Sequence, residues 1–333
     1  MTNIRELRSL VATILLCTGL ALGTAAPAHA SSEGAKVVET AVPGFPRAML
    51  YRVEGKLARP VVVILAGAEG GDGAGKRFGP ILAELGYAAV SLPYYSPNWG
   101  EFGPPQQYTD LPGSFVDIKV DQLTRLRDTL AAMPGVDATR FGLFAGSKGS
   151  EFALIAASRY PWIEAVVAYA PSDLVWEGWG LETVEAEGTR SSFSIDGKAL
   201  AFMPYRGFVE GLLQGPKADL RAIHENGRAD HPDREAAARI AVEDYRGPLM
   251  LVAGDKDRLW NSGGMARNIV ASRAAAGLTT QALLYPEAGH DLAGGSAEPR
   301  DDPRGGGTPE ANAAARADAW PTVVAFLENA LNP

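Results

Sequence analysis

Six short apolar runs alternate along the chain with stretches that have the amphipathic spacing of helices. The runs occupy residues 60–67, 87–95, 141–147, 163–171, 248–255 and 280–286. Each run is continuously apolar rather than alternating in polarity, which is typical of strands buried on both faces of a parallel sheet. Because parallel neighbours need a crossover, usually a helix, this order predicts an α/β fold with a doubly wound, mostly parallel sheet.

Two further runs and several helical patterns complete the predicted framework. KVVETAV and AMLYRVE, ahead of the first buried run, are predicted as edge strands. The helical patterns are FGPILAEL, DIKVDQLTRLRDTLAAM, SEFALIAASRY, SGGMARNIVASRAAAG and a last helix that breaks or kinks before Pro321. Residues 172–245 are too many for a single crossover helix between two strands. They contain a hairpin-like stretch, SSFSIDGKALAFMPY, and a predicted polar helix, DREAAARIAVED. We therefore expect an inserted lid segment at about 172–245.

The N-terminal residues have the three parts of a secretory signal peptide. Arg5 and Arg8 precede an apolar run over residues 10–25, and Ala28 and Ala30 form an A-x-A cleavage pattern. We expect residues 1–30 to be removed near Ala30 and the protein to be exported to the periplasm or secreted. An uncleaved anchor is the alternative, although the run is short for a membrane span. The mature chain, residues 31–333, is then one domain without a membrane span.

Composition excludes several kinds of site. The chain has one cysteine, Cys17, within the predicted signal peptide, so the mature chain has no disulfide and no thiolate metal site. The net charge is −8, which argues against binding to nucleic acid or to an acidic membrane surface. No metal site and no organic cofactor are predicted.

The stretch FGLFAGSKGSEFALIAAS joins a predicted strand directly to a predicted helix. Ala145, Ser147 and Gly149 form A-x-S-x-G, close to the G-x-S-x-G turn that presents a nucleophilic serine in the α/β-hydrolase fold. Small residues are needed two positions before and after the serine because the turn is tight. Ser147 would then lie at a helix N-terminus, whose dipole favours developing negative charge. The alternative is a turn that serves packing alone.

Three histidines follow residue 30 and could supply a general base. His224 and His231 lie in the polar stretch AIHENGRADHPDR, and we expect both on the surface. His290 follows the last predicted strand, where the base of a hydrolase sheet belongs. The acid should follow the penultimate strand, where Asp255 and Asp257 compete; the spacing from the strand end favours Asp257, and Asp255 stays an alternative.

The glycine-rich stretch AEGGDGAGKR follows the first buried run and has two possible functions. Its G-x-x-x-x-G-K pattern matches the start of a phosphate-binding P-loop, but Arg77 stands where that motif has Ser or Thr to bind Mg²⁺. A hydrolase instead needs a backbone N–H from this loop, paired with the N–H of the residue after the nucleophile. We therefore predict an oxyanion hole from Lys148 and from Ala68 or Glu69.

The side chain of Lys148 and the aromatic residues of the lid segment each leave alternatives open. The Lys148 side chain is either solvated or attracts an anionic group of the substrate. Trp176, Trp179, Phe202 and Tyr205 either line an apolar acyl pocket or pack the lid itself.

The motifs AGSKGSEFALIAAS, GDKDRLWNS, YPEAGH and GGGTPEANAAARADAW together resemble the C-terminal domain of the bile-acid-CoA:amino-acid N-acyltransferase and acyl-CoA thioesterase family. The resemblance covers most of residues 60–331 and implies an α/β-hydrolase with Ser147 as nucleophile, Asp257 as acid and His290 as base. Animal members carry an N-terminal β-sandwich, for which residues 31–58 are too short. The transferases use cysteine as nucleophile, so serine argues against amino-acid conjugation.

These residues predict a serine hydrolase of small-molecule acyl esters or thioesters that works through an acyl-enzyme. Export would take the protein away from acyl-CoA, so the leaving group stays open. The alternatives are a non-catalytic binding protein with this fold, and a peptidase or acyltransferase of the same fold.

Overall fold

The computed structural model describes residues 36–55, 57–100, 103–183, 189–208, 211, 214 and 218–332. The predicted signal peptide and its cleavage point lie outside these residues. No helix within the described ranges combines the length and apolar character needed to cross a membrane.

Most strands of the described chain belong to one eight-stranded sheet. The strands are β1 Val37–Ala41, β2 Met49–Val53, β3 Arg59–Leu65, β4 Ala88–Ser91, β5 Ile118–Lys119, β6 Val136–Gly146, β7 Ala165–Tyr169, β8 Phe193–Ile195, β9 Lys198–Ala199, β10 Leu249–Gly254 and β11 Gln281–Tyr285. The order in the large sheet is β1-β2-β4-β3-β6-β7-β10-β11. All six buried runs form strands of this sheet and pair in parallel, as predicted. The prediction of two edge strands is right for β1 and wrong for β2, which pairs with both β1 and β4.

The helices of the described chain connect these strands. They are α1 Gly73–Glu84, α2 Gln122–Ala131, α3 Lys148–Arg159, α4 Leu220–Asp230, α5 Glu235–Ala238, α6 Ser262–Ala275 and α7 Pro309–Leu331. Helix α7 continues through Pro321, so the predicted break is absent. The predicted polar helix at 233–244 is wrong: this stretch holds only α5 and short 3₁₀ turns, and the longer α4 precedes it.

Burial on both faces explains why the strands are continuously apolar. Along β3, Val61, Val63 and Leu65 pack into one hydrophobic layer, while Val62 and Ile64 pack into the layer on the other face. All five are at most 2% exposed. Because successive side chains of a strand point to opposite faces, a sheet covered by helices on both sides requires apolar residues at every position.

The described part of residues 172–245, which we call the inserted segment, follows β7 in the chain and contains the strands β8 and β9. The predicted hairpin is present as antiparallel β8 and β9, and β8 pairs in parallel with β5. The three strands form a small separate sheet. This sheet joins the inserted segment to the chain ahead of α2.

Candidate active site

Ser147 stands in a strained turn between β6 and α3. Its φ is 55° and its ψ is −125°, a conformation that L-residues rarely adopt. The Ser147 N–H donates to the carbonyl of Tyr169 at 2.9 Å, which ties the turn to the end of β7. Strained backbone of this kind persists where the surrounding structure enforces it, and it concentrates at functional sites.

Gly149 allows the turn to lie close to the end of β3. A Cβ at this position would lie 2.3 Å from the carbonyl oxygen of Leu65 and 2.5 Å from that of Ala66. Both contacts are with backbone, which cannot move aside easily. The requirement for a small residue two positions after Ser147 therefore has a specific steric cause.

Asp257 and His290 lie on the loops that follow β10 and β11. His290 Nδ1 is 2.8 Å from Asp257 Oδ2; the Asp257 side chain is fully buried and that of His290 is 13% exposed. Asp257 Oδ1 accepts hydrogen bonds from the backbone N–H groups of Leu259 and Trp260 at 2.9 and 3.3 Å. Both carboxylate oxygens are therefore held in place.

Two opposing effects act on the pKa of His290. Burial lowers the pKa, because it disfavours the charged ring, but the charge and hydrogen bond of Asp257 raise it, and the net pKa lies above the ordinary 6.5. A carboxylate can only accept, so the neutral ring donates from Nδ1 and carries its lone pair at Nε2. This tautomer is suited to accepting a proton at Nε2.

Asp255, the alternative acid, makes a different contact. Its carboxylate pairs with Arg267 through two hydrogen bonds of 2.7 and 2.8 Å at the protein surface. This pair lowers the pKa of Asp255. The structure thus brings Asp257, and not Asp255, to His290.

The loop after β3 passes directly over the serine turn. A Cβ on Gly67 would lie 2.6 Å from the Glu69 carboxylate and 3.0 Å from the Cβ of Ser147, so the two loops approach closely at this point. Within the described chain, the N–H groups of Ala68 and Lys148 donate no hydrogen bond. The Glu69 side chain folds back, and its Oε1 accepts from the Gly67 N–H at 3.0 Å. The prediction for Glu69 concerned its backbone N–H alone, and the carboxylate is a further polar group beside the serine turn.

The glycine turn does not have the arrangement of a phosphate-binding loop. The Gly70 N–H donates to the Gly67 carbonyl at 3.2 Å, and the Gly71 N–H donates to the Tyr95 carbonyl at 2.8 Å. These amides are engaged within the protein, whereas a P-loop directs successive amides at phosphate oxygens. The Gly70 and Gly71 amides are therefore not free to bind a phosphate group.

The predicted pocket aromatics separate into two environments. Trp176 and Tyr205 stack with ring centroids 5.8 Å apart, and Trp179 stacks on Phe115 at 4.5 Å. All four are at most 8% exposed. Phe202 is half-buried instead, with the guanidinium of Arg234 5.7 Å from its ring.

His224 is not the surface residue that the sequence predicts. It is 9% exposed and meets the rings of Trp176, Tyr205 and Trp260 edge to face, with centroids 4.6, 4.9 and 5.7 Å away. Burial lowers its pKa to about 4. The i, i+3, i+4 spacing of Leu220, Ile223 and His224 on α4 is the signal that could have indicated an inward face.

Both predictions for the Lys148 side chain are also wrong. The side chain is 3% exposed, so it is neither solvated nor available to a substrate anion. Its ammonium group pairs with Glu151 at 2.5 Å within the protein. The described residues contain no group of three or more His, Cys, Asp or Glu placed to bind a metal ion.

The parallel sheet, the serine turn and the loops after its last strands define the class of protein as an α/β-hydrolase. The chain resembles the solved structures of Pyrococcus horikoshii acylaminoacyl peptidase and of a dienelactone hydrolase-like promiscuous phosphotriesterase from metagenomic libraries. The TM-scores are 0.52 and 0.51, at 13% and 14% identity, over 89% and 90% of this chain and 42% and 98% of theirs. At this identity the likeness shows the fold alone.

The family follows from the sequence model for the BAAT / acyl-CoA thioester hydrolase C-terminal domain, which matches residues 127–294, just over half of the chain. The chain belongs to this family. It is 26% identical over 272 residues to human mitochondrial acyl-coenzyme A thioesterase 2, covering 75% of this chain and 48% of the relative. Mouse acyl-coenzyme A thioesterase 3 is 25% identical over 310 residues, 87% of this chain and 62% of the relative. The chain spans about half the length of the curated relatives it matches.

Proposed function

We propose that the protein hydrolyses acyl esters or thioesters through a covalent acyl-enzyme on Ser147. The observation that carries this proposal is the 2.8 Å contact between His290 Nδ1 and Asp257 Oδ2. The loops of these two residues and the strained Ser147 turn all follow the carboxyl ends of strands of the large sheet. The strands β6, β10 and β11 run parallel within the sheet, so the residues after their carboxyl ends lie at the same end of the sheet.

Proton transfer begins at His290. Its Nε2 lone pair accepts the Ser147 hydroxyl proton while the serine oxygen attacks the substrate carbonyl carbon. Asp257 stabilises the positive ring and keeps Nδ1 protonated, so that Nε2 is the nitrogen that exchanges protons. The ring then protonates the leaving alcohol or thiol, and water attacks the acyl-enzyme with His290 again as base.

Negative charge develops on the carbonyl oxygen during attack and needs preorganised donors. The unengaged N–H groups of Ala68 and Lys148 are suited to this function, because they flank Ser147 on the β3 loop and on α3. Loss of one such donor costs about 10²–10³ in rate. Glu69 is less suited as a donor, because its carboxylate folds back against the loop.

The substrate class rests on family membership and on the relatives named as acyl-coenzyme A thioesterases. An oxygen ester and a thioester react by the same steps and differ only in the leaving group. We therefore propose a small-molecule acyl ester or thioester as the substrate.

Labelling by a fluorophosphonate probe tests the nucleophile. Wild-type protein should be labelled, Ser147→Ala should not, and Ser158→Ala, a serine further along α3, should be labelled like the wild type. Absence of wild-type labelling, or labelling that survives Ser147→Ala, would overturn the proposal. Comparing p-nitrophenyl esters with acyl-CoA substrates of several chain lengths then distinguishes esterase from thioesterase.

A further inference from the structure

Lys148 and Glu151 form a buried ion pair on the first turn of α3, directly after Ser147. Lys148 Nζ is 2.5 Å from Glu151 Oε2, and the two side chains are 3% and 0% exposed. A positive charge at the start of a helix opposes the helix dipole, and taking two charges out of water costs more than burying apolar residues of the same volume. Stability alone therefore does not account for this pair.

Each member of the pair bonds to the inserted segment. Lys148 Nζ donates to Ser192 Oγ at 2.9 Å, and Ser192 Oγ donates to the Glu177 carbonyl at 2.7 Å. The Trp176 N–H donates to Glu151 Oε1 at 2.9 Å. Two separate parts of the inserted segment, around residues 176 and 192, are thus tied to the same helical turn.

Aromatic rings enclose the ammonium group. Lys148 Nζ lies 5.2 Å from the ring centroids of Phe115 and Phe193 and 5.4 Å from that of Trp179. Two of these rings belong to the inserted segment, and the third precedes β5. Such cation–π contacts add attraction in a desolvated site and restrict where the ammonium can lie.

The backbone of the same turn is held from the opposite side. Gly149 packs against the end of β3, where a Cβ would meet the Leu65 carbonyl at 2.3 Å. Lys148 therefore has its side chain fixed by the inserted segment and its amide, the proposed oxyanion donor, fixed close to β3. The Lys148 side chain thus connects the inserted segment to the residue that carries this amide.

We propose that Lys148 and Glu151 are positioning residues that lock the inserted segment to the serine turn and thereby hold the oxyanion donor in place. The inference rests on the proposed function for its catalytic part. Its structural part, the coupling of the inserted segment to α3, stands independently of that function.

The test compares three variants: Lys148→Met, Glu151→Gln and the double variant. Each single variant leaves one buried charge uncompensated and should have a lower melting temperature than wild type. The double variant keeps the shape of both side chains without either charge, so its melting temperature should return most of the way to the wild-type value. Despite that recovery, kcat and the fluorophosphonate labelling rate of the double variant should stay lower by about 10²-fold, since small misplacements of catalytic groups have effects of that order. Val323→Ala is the control, because Val323 packs with Val62 and Ile64 in the hydrophobic layer on the opposite face of the sheet. It should lower the melting temperature and leave the kcat and the labelling rate near their wild-type values.

Hydrogen exchange of the same proteins separates this inference from the proposed function. Peptides covering residues 174–183 should exchange faster in the double variant than in wild type, with peptides from β3 and β10 unchanged. A double variant with wild-type exchange in this segment, or with wild-type kcat, would overturn the coupling. Failure of wild-type labelling would refute the serine hydrolase, while the exchange result would still decide whether the pair locks the segment.

Discussion

The burial of His224 should make the free energy of unfolding decrease measurably as the pH is lowered. In the folded protein, burial among Trp176, Tyr205 and Trp260 lowers its pKa from 6.5 to about 4. Its Nδ1 lies 2.7 Å from the Leu220 carbonyl on the same helix, which also keeps the neutral ring in one tautomer. The folded state therefore binds a proton at His224 only near pH 4, while the unfolded chain binds it near pH 6.5.

The sign and magnitude follow from proton linkage. Between pH 6.5 and 4 the unfolded state carries one more proton at this site, so the free energy of unfolding falls as the pH falls. The slope is about 1.4 kcal/mol per pH unit, which amounts to about 2 kcal/mol by pH 5 and about 3 kcal/mol by pH 4. The contribution is complete above pH 6.5 and is lost on acidification.

Urea denaturation at a series of pH values tests this prediction. His224→Phe keeps an aromatic ring but removes the titration, so the variant should lose less stability than wild type between pH 7 and 5, by about 2 kcal/mol. His231→Asn, at a partly exposed position, is the control and should follow the wild type. If the difference in free energy of unfolding between wild type and His224→Phe does not change with pH, the reasoning is refuted.

Two further substitutions, each paired with a control variant, test the site. Asp257→Asn should lower kcat by about 10⁴-fold, whereas Asp255→Asn, which breaks only a surface ion pair, should leave kcat near the wild-type value; equal losses would contradict the assignment. The residual activity of Asp257→Asn should persist to lower pH than that of wild type, because the carboxylate that raises the pKa of His290 is gone. If the acid limb of the kcat/KM profile stays at the same pH in this variant, Asp257 is not what raises the pKa of His290. Gly149→Ala should destabilise the fold by about 1–3 kcal/mol in urea denaturation, while Gly146→Ala, with no atom within 4 Å of the added Cβ, should cost less.

The parallel sheet could be predicted because its signal is local. Each strand of the centre is short, apolar throughout and followed by a helical pattern, and these features require no knowledge of distant contacts. Placing Ser147, Asp257 and His290 at one edge then follows from geometry, since parallel strands end on the same side of a sheet. The sequence favoured Asp257 over Asp255, and the loop conformation confirms this preference, because it directs Asp257 to His290 and Asp255 to Arg267.

The inserted segment was predicted less well, because its elements depend on contacts with the rest of the chain. The helical pattern at 233–244 is interrupted by 3₁₀ turns, and α4 precedes it in a stretch that is polar in composition. Strand β5 is two residues long and exists only through pairing with β8, far along the chain. Periodicity within a short window cannot register either effect.

The sequence by itself determined the alternation of strands and helices, the strained turn at Ser147 and the loops that carry Asp257 and His290. Export through residues 1–30 stays a prediction of the sequence. Only the tertiary structure decided that His224 and Lys148 are buried, because the inserted segment and the loops around it enclose them. The burial of a polar side chain depends on what the distant chain places across it, and no local pattern records that.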